Sequence, residues 1–322
     1  MKVLITGGAG FIGSHVADAH VAAGDEVVIV DNLSTGRRAS VPERARFYEL
    51  DIRSDAVREV FARERPDLVN HHAAQASVSF SVRHPQCDAE VNILGTLNVL
   101  AHCAEFGVRR VVMASTGGAI YGEPQRPLPV DETHPIEPLS PYGLSKYVGE
   151  LYLRYLTAGA EAIPHRGRVS AAVLRYANVY GPRQDPHGEA GVVAIFAQAM
   201  LDRRAPTIFG DGTQTRDFVY VGDVARANVL AAAAGGSETV HIATGVETSV
   251  IDVYAALARF TAFAAPPAHG PARAGDVYRI ALDAARARAW LGWVPQVTLE
   301  EGLRRTVDWF ARRAPTNSPV ES

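Results

Sequence analysis

The chain has 322 residues, 47% hydrophobic and 21% charged, with a formal net charge of −3. That length supports a sizeable packed core in one large domain or two modest ones. The charge balance excludes the basic surplus of a nucleic-acid binder, and no apolar run reaches the roughly 18–20 residues of a membrane span. Cys87 and Cys103 alone make neither a disulfide framework nor a metal-ligand set, so they read as reduced thiols and no metal is expected. The N-terminal residues run straight into glycines without a signal-peptide pattern, so a cytoplasmic protein with neither nucleic-acid nor membrane partners is expected.

In chain order, residues 3–6, 26–31, 46–50, 68–71 and 111–115 are short runs rich in Val, Ile and Leu, bounded by Gly, Asp or Pro, which predicts buried strands. Between them the spacing predicts helices over 12–23, 54–65 and 86–106. A further helix begins near Pro141 and runs to about Tyr155, and 169–176 reads as another strand. This alternation predicts an α/β fold, a Rossmann-like doubly wound parallel sheet over residues 1–176 to which later segments can return. From 177 to 322 loops lengthen, and helices at about 192–202, 223–233 and 250–260 alternate with short strands. A smaller α+β portion that binds substrate is expected there, with a frayed tail from Arg313.

The segment Thr6-Gly7-Gly8-Ala9-Gly10-Phe11-Ile12-Gly13 follows the first strand and opens the first helix. Gly8, Gly10 and Gly13 satisfy a G-x-G-x-x-G spacing, with Gly7 an extra glycine. A tight turn, a close backbone approach to a pyrophosphate and a helix packed on its strand all need this pattern. The helix start at Phe11 and Ile12 then faces the phosphate charge. Asp31 ends the second strand 18 residues after Gly13, beside Asn32. A carboxylate there accepts hydrogen bonds from ribose hydroxyls and repels a 2′-phosphate, so NAD is expected over NADP. Arg37 and Arg38 are the counter-signal, since arginine accommodates that phosphate. Asp51, with Ile52 at the end of the third strand, is a candidate for the adenine amine or an ordinary strand-end turn.

Tyr142 and Lys146 are spaced i, i+4 on one predicted helix, so phenol and ammonium share a face. A phenol is a poor base at neutral pH, and a nearby cation favours its ionised form. Only two of the 32 basic residues are lysines, Lys2 and Lys146. A chain that uses arginine almost everywhere keeps lysine at 146, where a compact ammonium and a planar guanidinium are not interchangeable.

These motifs, with His71-His72-Ala73-Ala74-Gln75, Asn92 and the run from Arg175 to Pro182, resemble the extended short-chain dehydrogenase/reductase family over nearly the whole chain, to about Phe310. The resemblance is greatest to its UDP-glucose 4-epimerases. It implies that Tyr142 takes the proton from a sugar 4-hydroxyl while the 4-hydride moves to NAD and returns to the other face of the 4-keto sugar. Lys146 would hold the nicotinamide ribose and tune Tyr142. Ala73, Ala74, Gln75 and Asn92 would line the cofactor. A UDP-sugar would meet Asn178, Arg216, Arg273, Asp276, Val193 and Ile208, with Phe209 also near the uracil. Ile280, being shorter than tyrosine, would leave room beside the sugar C2 group. The resemblance also implies a homodimer built on the helices near 86–106 and 141–155, with Leu94, Leu97, Leu151 and Leu153 either at the interface or in the core.

One departure stands out. The family carries a serine or threonine five residues before the glycine of a Tyr-Gly pair, and here that position is Gly117. The hydroxyls are displaced to Thr116 and Ser115, and Thr116 is favoured over Ser115 for the catalytic role. Gly117 and Gly118 also lack the acid and base that a 4,6-dehydratase needs there. The remaining alternatives are epimerases of UDP-N-acetylhexosamines or UDP-glucuronate, a nucleotide-sugar reductase and a non-enzymatic NAD(P)-binding regulator. Asp185 and His187 lie together in the later loop but bring no further metal ligands.

Overall fold

The computed structural model describes residues 1–158, 169–187, 191–272 and 277–313. Its strands are β1 (Lys2–Thr6), β2 (Glu26–Asp31), β3 (Arg46–Glu49), β4 (Leu68–His71), β5 (Arg110–Thr116), β6 (Ser170–Tyr176), β7 (Asn178–Tyr180), β8 (Thr207–Phe209), β9 (Thr215–Tyr220), β10 (Glu238–Ile242), β11 (Glu247–Ser249) and β12 (Ala268–Gly270). Its helices are α1 (Phe11–Ala22), α2 (Val57–Glu64), α3 (Val78–Arg83), α4 (Pro85–Ala89), α5 (Thr96–Glu105), α6 (Gly117–Ile120), α7 (Pro141–Thr157), α8 (Val192–Leu201), α9 (Val221–Ala233), α10 (Val250–Thr261), α11 (Ala285–Leu291) and α12 (Leu299–Ala311).

Seven strands form the central sheet in the order β10-β6-β5-β4-β1-β2-β3. Every pairing in it is parallel, so the α/β, Rossmann-like fold is as expected. The strands read as continuous apolar runs because both faces are covered. Alternate residues of β1 divide between two cores, as a period of two requires. Val3 and Ile5 join Val16 of α1 and Val224 of α9, while Leu4 joins Phe61 of α2, Val99 of α5 and Leu153 of α7. The chain builds outward from β1 to β3, then crosses back to β4. That reversal opens a crevice at the C-terminal ends of β1 and β4, the place where ligands bind in sheets of this type.

After β6 the chain forms a small sheet, β11-β9-β7, and a two-stranded pair, β12-β8. They are backed by a third core in which Phe196 of α8, Leu257 of α10 and Leu303 of α12 are buried. Residues beyond 176 also return to the central sheet as its edge strand, β10. Among the described residues no helix is long and apolar enough to cross a membrane.

One expected helix differs. The periodicity over 86–106 predicts a single helix, but α4 and α5 are separated by a π-helical turn over Glu90–Gly95. A Cβ on Gly95 would come within 2.6 Å of Ile52 Cδ1, so the helix packs directly on the turn that follows β3. The wider turn carries Asn92, 2% exposed, inward. Turns of this kind gather at functional sites.

Candidate active site

The glycine turn is built by close contacts. Gly7 has φ +69°, and a Cβ there would lie 2.6 Å from the Ala73 main-chain nitrogen. A Cβ on Gly13 would lie 2.1 Å from the Gly7 carbonyl oxygen. The Gly10 N–H donates to that carbonyl at 3.1 Å. α1 then starts without a side-chain cap and without an acidic residue in its first turn. The first N–H groups of a helix have no partner within it, so those of Phe11 and Ile12 remain available to an anion, which fits a pyrophosphate.

Asp31 is 7% exposed at the end of β2. Its carboxylate accepts from the N–H groups of Ala9 at 2.9 Å and Leu33 at 2.8 Å, so the acid is locked to the glycine turn itself. Arg37 instead pairs with Asp185 at 3.7 Å, and Arg38 lies over the Phe47 ring at 4.7 Å. Asp51 is gripped by Arg53 through two hydrogen bonds of 2.9 and 2.8 Å and accepts from Asn32 Nδ2 at 2.9 Å. Arg53 holds that carboxyl well below the usual range. Ile52 is 4% exposed, so its side chain belongs to the core. The His187 N–H donates to Asp185 at 3.2 Å, and no group of three metal-binding side chains occurs among the described residues.

Beyond β4 the chain is held by side chains below it. His71 bonds Thr6 Oγ1 at 2.7 Å and Thr96 Oγ1 at 3.0 Å, and the Ala73 N–H donates to Thr6 Oγ1 at 3.2 Å. Burial pulls both His71 and His72 down to about 3, so both are neutral. Asn92 clamps the Gln75 peptide from both sides. It accepts from the N–H at 2.9 Å and donates to the carbonyl at 2.9 Å. The segment carrying Ala73, Ala74 and Gln75 is therefore fixed beside the glycine turn.

α7 begins with Pro141 after Ser140, whose hydroxyl accepts from the Gly143 N–H at 3.2 Å. Gly143 allows the helix to lie on α6, since a Cβ there would sit 2.2 Å from the Ala119 carbonyl. This contact brings Tyr142 to the end of β5, where it shares a cavity wall with Thr116. Burial and the Asp88 charge push the phenol up to about 12, and the neighbouring Thr116 hydroxyl offsets part of that. Lys146, one turn along, is 5% exposed. Burial pulls its ammonium down to about 8, against the opposing charges of Glu150 and Asp88. Burial and Asp88 thus work against the lowering of the phenol expected from the sequence.

The two displaced hydroxyls separate. Thr116 meets Tyr142, whereas Ser115, 4% exposed, donates to Glu150. Gly117 cannot simply regain a side chain, because its Cβ would meet Leu282 Cδ1 at 2.3 Å. A cavity of about 230 Å³ opens here, with Thr116, Gly118, Tyr142, Asn178, Arg216 and Val277 on its walls. Arg216 is oriented from β9 by hydrogen bonds from Nη1 to the carbonyls of Thr215 at 2.8 Å and Tyr278 at 3.3 Å.

Other expected substrate residues lie elsewhere. Val193 and Ile208 are each 1% exposed in the third core, because α8 and β8 need apolar inner faces; their side chains do not line the cavity. Phe209, 37% exposed, is the apolar ring that β8 leaves at the surface. Ile280 is 2% exposed in the same core as Val3 and Ile5, and the aliphatic residues on the cavity wall include Val78, Leu139 and Val277. Arg273 and Asp276, and residues 188–190 of the loop before α8, lie outside the described residues.

Sequence reasoning overlooked two buried acids. Glu150 continues the Tyr142–Lys146 spacing by four residues and forms a bidentate pair with Arg175, with hydrogen bonds of 3.0 and 2.6 Å. Asp88 lies four residues before Asn92, so the same helical spacing was the available signal.

Comparison with known proteins agrees with this geometry. The model of the NAD dependent epimerase/dehydratase family matches residues 3–243. A UDP-glucose 4-epimerase of Mycolicibacterium smegmatis is 42% identical, covering 98% of this chain and 100% of that one. The crystal structure of a UDP-glucose 4-epimerase with UDP-glucose from Thermotoga maritima superimposes with a TM-score of 0.93 at 47% identity, covering 97% of this chain and 99% of that one. The UDP-glucose 4-epimerase of Thermus thermophilus, in complex with NAD, gives 0.91 at 45% identity over 98% and 100% of the two chains. The chain belongs to the NAD dependent epimerase/dehydratase family.

Proposed function

We propose that the protein is an NAD-dependent 4-epimerase that interconverts UDP-glucose and UDP-galactose. The observation that carries this reading is the convergence of Thr116 and Tyr142 on a cavity shared with Arg216 and Asn178, one helical turn from Lys146. The glycine turn, Asp31 and the clamped 73–75 segment would hold the cofactor. Bound NAD would supply a hydride acceptor that becomes the donor for the return step. The residues of this chain do the rest. Tyr142 moves the proton of the 4-hydroxyl, Thr116 orients that hydroxyl, and Lys146 supports the phenolate and the nicotinamide ribose. Asn178 and Arg216 anchor the UDP diphosphate, with Arg273 and Asp276 as further candidates. The small residues Gly118, Ala119 and Ala177 along the cavity leave a 4-keto sugar room to turn over.

The test is purified protein with UDP-galactose and no added reductant, followed by NMR. Conversion to UDP-glucose that is lost in Tyr142→Phe supports the reading. Stoichiometric consumption of NADH would instead identify a reductase.

We further propose a homodimer joined through α7 and the π-helical turn that leads into α5. Leu94 is 58% exposed and Leu151 41%, whereas Leu153 is fully buried in the protomer core. Exposed Leu144, Tyr152 and Tyr155 extend the apolar face of α7. Analytical ultracentrifugation tests this: Leu94→Glu with Leu151→Glu should give monomers, and an unchanged sedimentation coefficient would refute the interface.

A further inference from the structure

Asp88, fully buried in α4, lies beside the Tyr142–Lys146 pair. Its Oδ1 accepts from Gln75 Nε2 at 2.8 Å and Asn92 Nδ2 at 3.0 Å, and its Oδ2 accepts from Ser145 Oγ at 2.6 Å. The carboxyl acts only as an acceptor, the pattern of a carboxylate. All three partners are neutral. They come from three parts of the site: the cofactor-side loop, the π-helical turn, and the residue before Lys146.

The other acid near Lys146 is different. Glu150 shares its charge with Arg175 at 2.6 Å. The titratable and charged groups facing the pair are thus Asp88 from α4, Glu150 from α7 itself, and His71 and His72 at and after the end of β4, both neutral. Hydrogen bonding alone does not require a charge at position 88. An asparagine could accept the two amide donors and donate to the Ser145 hydroxyl. Burying a carboxylate on neutral partners alone is unfavourable, so a charge at this position points to an electrostatic role towards Lys146.

We propose that Asp88, held against α7 through Ser145 by neutral hydrogen-bond partners only, is a positioning residue whose negative charge keeps Lys146 an ammonium and keeps Tyr142 a neutral phenol until a cation occupies the neighbouring cofactor site. This rests on the reading of Tyr142 and Lys146 as the proton-handling pair. Asp88 acts in one direction on both groups, opposing burial at Lys146 and adding to it at Tyr142.

The experiment compares the pH profile of kcat/KM for UDP-galactose in NAD-loaded parent and Asp88→Asn enzymes. Both limbs should move to lower pH by about one unit, the size of effect a single neighbouring charge produces. Ser145→Ala removes a hydrogen bond but leaves the charge, and its limbs should stay with the parent's. A lower plateau with unmoved limbs in Asp88→Asn would overturn the proposal and leave Asp88 as a structural hydrogen-bond hub. Should Asp88→Asn not fold, Asp88→Ser carries the same expectation. A parent inactive on UDP-galactose would count against the epimerase reading alone. Ultraviolet difference titration of the Tyr142 phenol against Tyr142→Phe, in NAD-loaded protein, would then read the same displacement without turnover, and an unmoved titration would overturn the proposal.

Discussion

Ser115 donates its hydroxyl to Glu150 inside the core, and this bond leaves its neighbour Thr116 as the hydroxyl that meets Tyr142. Successive strand residues face opposite sides, so the two hydroxyls cannot share one task. Thr116→Val should lower kcat by roughly 10²-fold with little loss of stability, within the range of a group that assists proton transfer. Ser115→Ala should keep kcat within a few-fold but lower unfolding stability by about 1–3 kcal/mol, because it removes a donor from a buried acid. Steady-state kinetics and urea unfolding on the two variants check both. The reverse pattern would assign the catalytic hydroxyl to Ser115.

Gly117 stands where the family carries its hydroxyl, yet Leu282 fills the space beside it. Gly117→Ser should therefore destabilise the protein by about 1–3 kcal/mol through overpacking, and Leu282→Ala should recover part of that loss in the double variant. Thermal melts of the single and double variants decide this. A neutral Gly117→Ser would show that the α6 turn moves aside.

Arg216 lies on the cavity wall and is aimed by two carbonyls, so its charge is presented in a defined geometry. Arg216→Ala should raise KM for UDP-galactose, and the inhibition constant for UDP, by about 10- to 100-fold, the weight of one or two charge-assisted hydrogen bonds. Competitive inhibition by UDP is the measurement. Unchanged UDP inhibition with reduced kcat would move Arg216 away from the diphosphate.

Stability should fall on mild acidification. Burial holds His71, His72 and His241 near 3, far below the value of about 6.5 in an unfolded chain. Between those values the unfolded chain binds protons that the folded chain does not. The stabilisation is therefore complete above pH 6.5 and is lost as pH falls towards 3. Each histidine contributes on the order of 1 kcal/mol per pH unit in that window. Urea midpoints at fixed NAD should be level from pH 8 to 7 and fall from 6.5 to 5, above the carboxylate range. A level midpoint down to pH 5 would contradict this.

The parts of the site legible in the sequence are those whose geometry is local. The Gly7–Gly13 turn, Asp31 at the end of β2, and the Tyr142–Lys146 spacing each depend on a few consecutive residues whose backbone period is known in advance. Six strands of the central sheet were legible for the same reason, as apolar runs of strand length separated by helical ones, whereas the edge strand β10 was not. Residue types on one helix show that Asp88 and Asn92 share a face, but not that this face meets Ser145. The choice between Ser115 and Thr116, the burial of Val193, Ile208 and Ile280, and the loss of side-chain room at Gly117 depend on which distant element covers which side. Glu150 lies 35 residues from Ser115, and Leu282 lies 165 from Gly117. A strand's period of two states that neighbours face apart, whereas only the packed structure states which side is core and which is cavity.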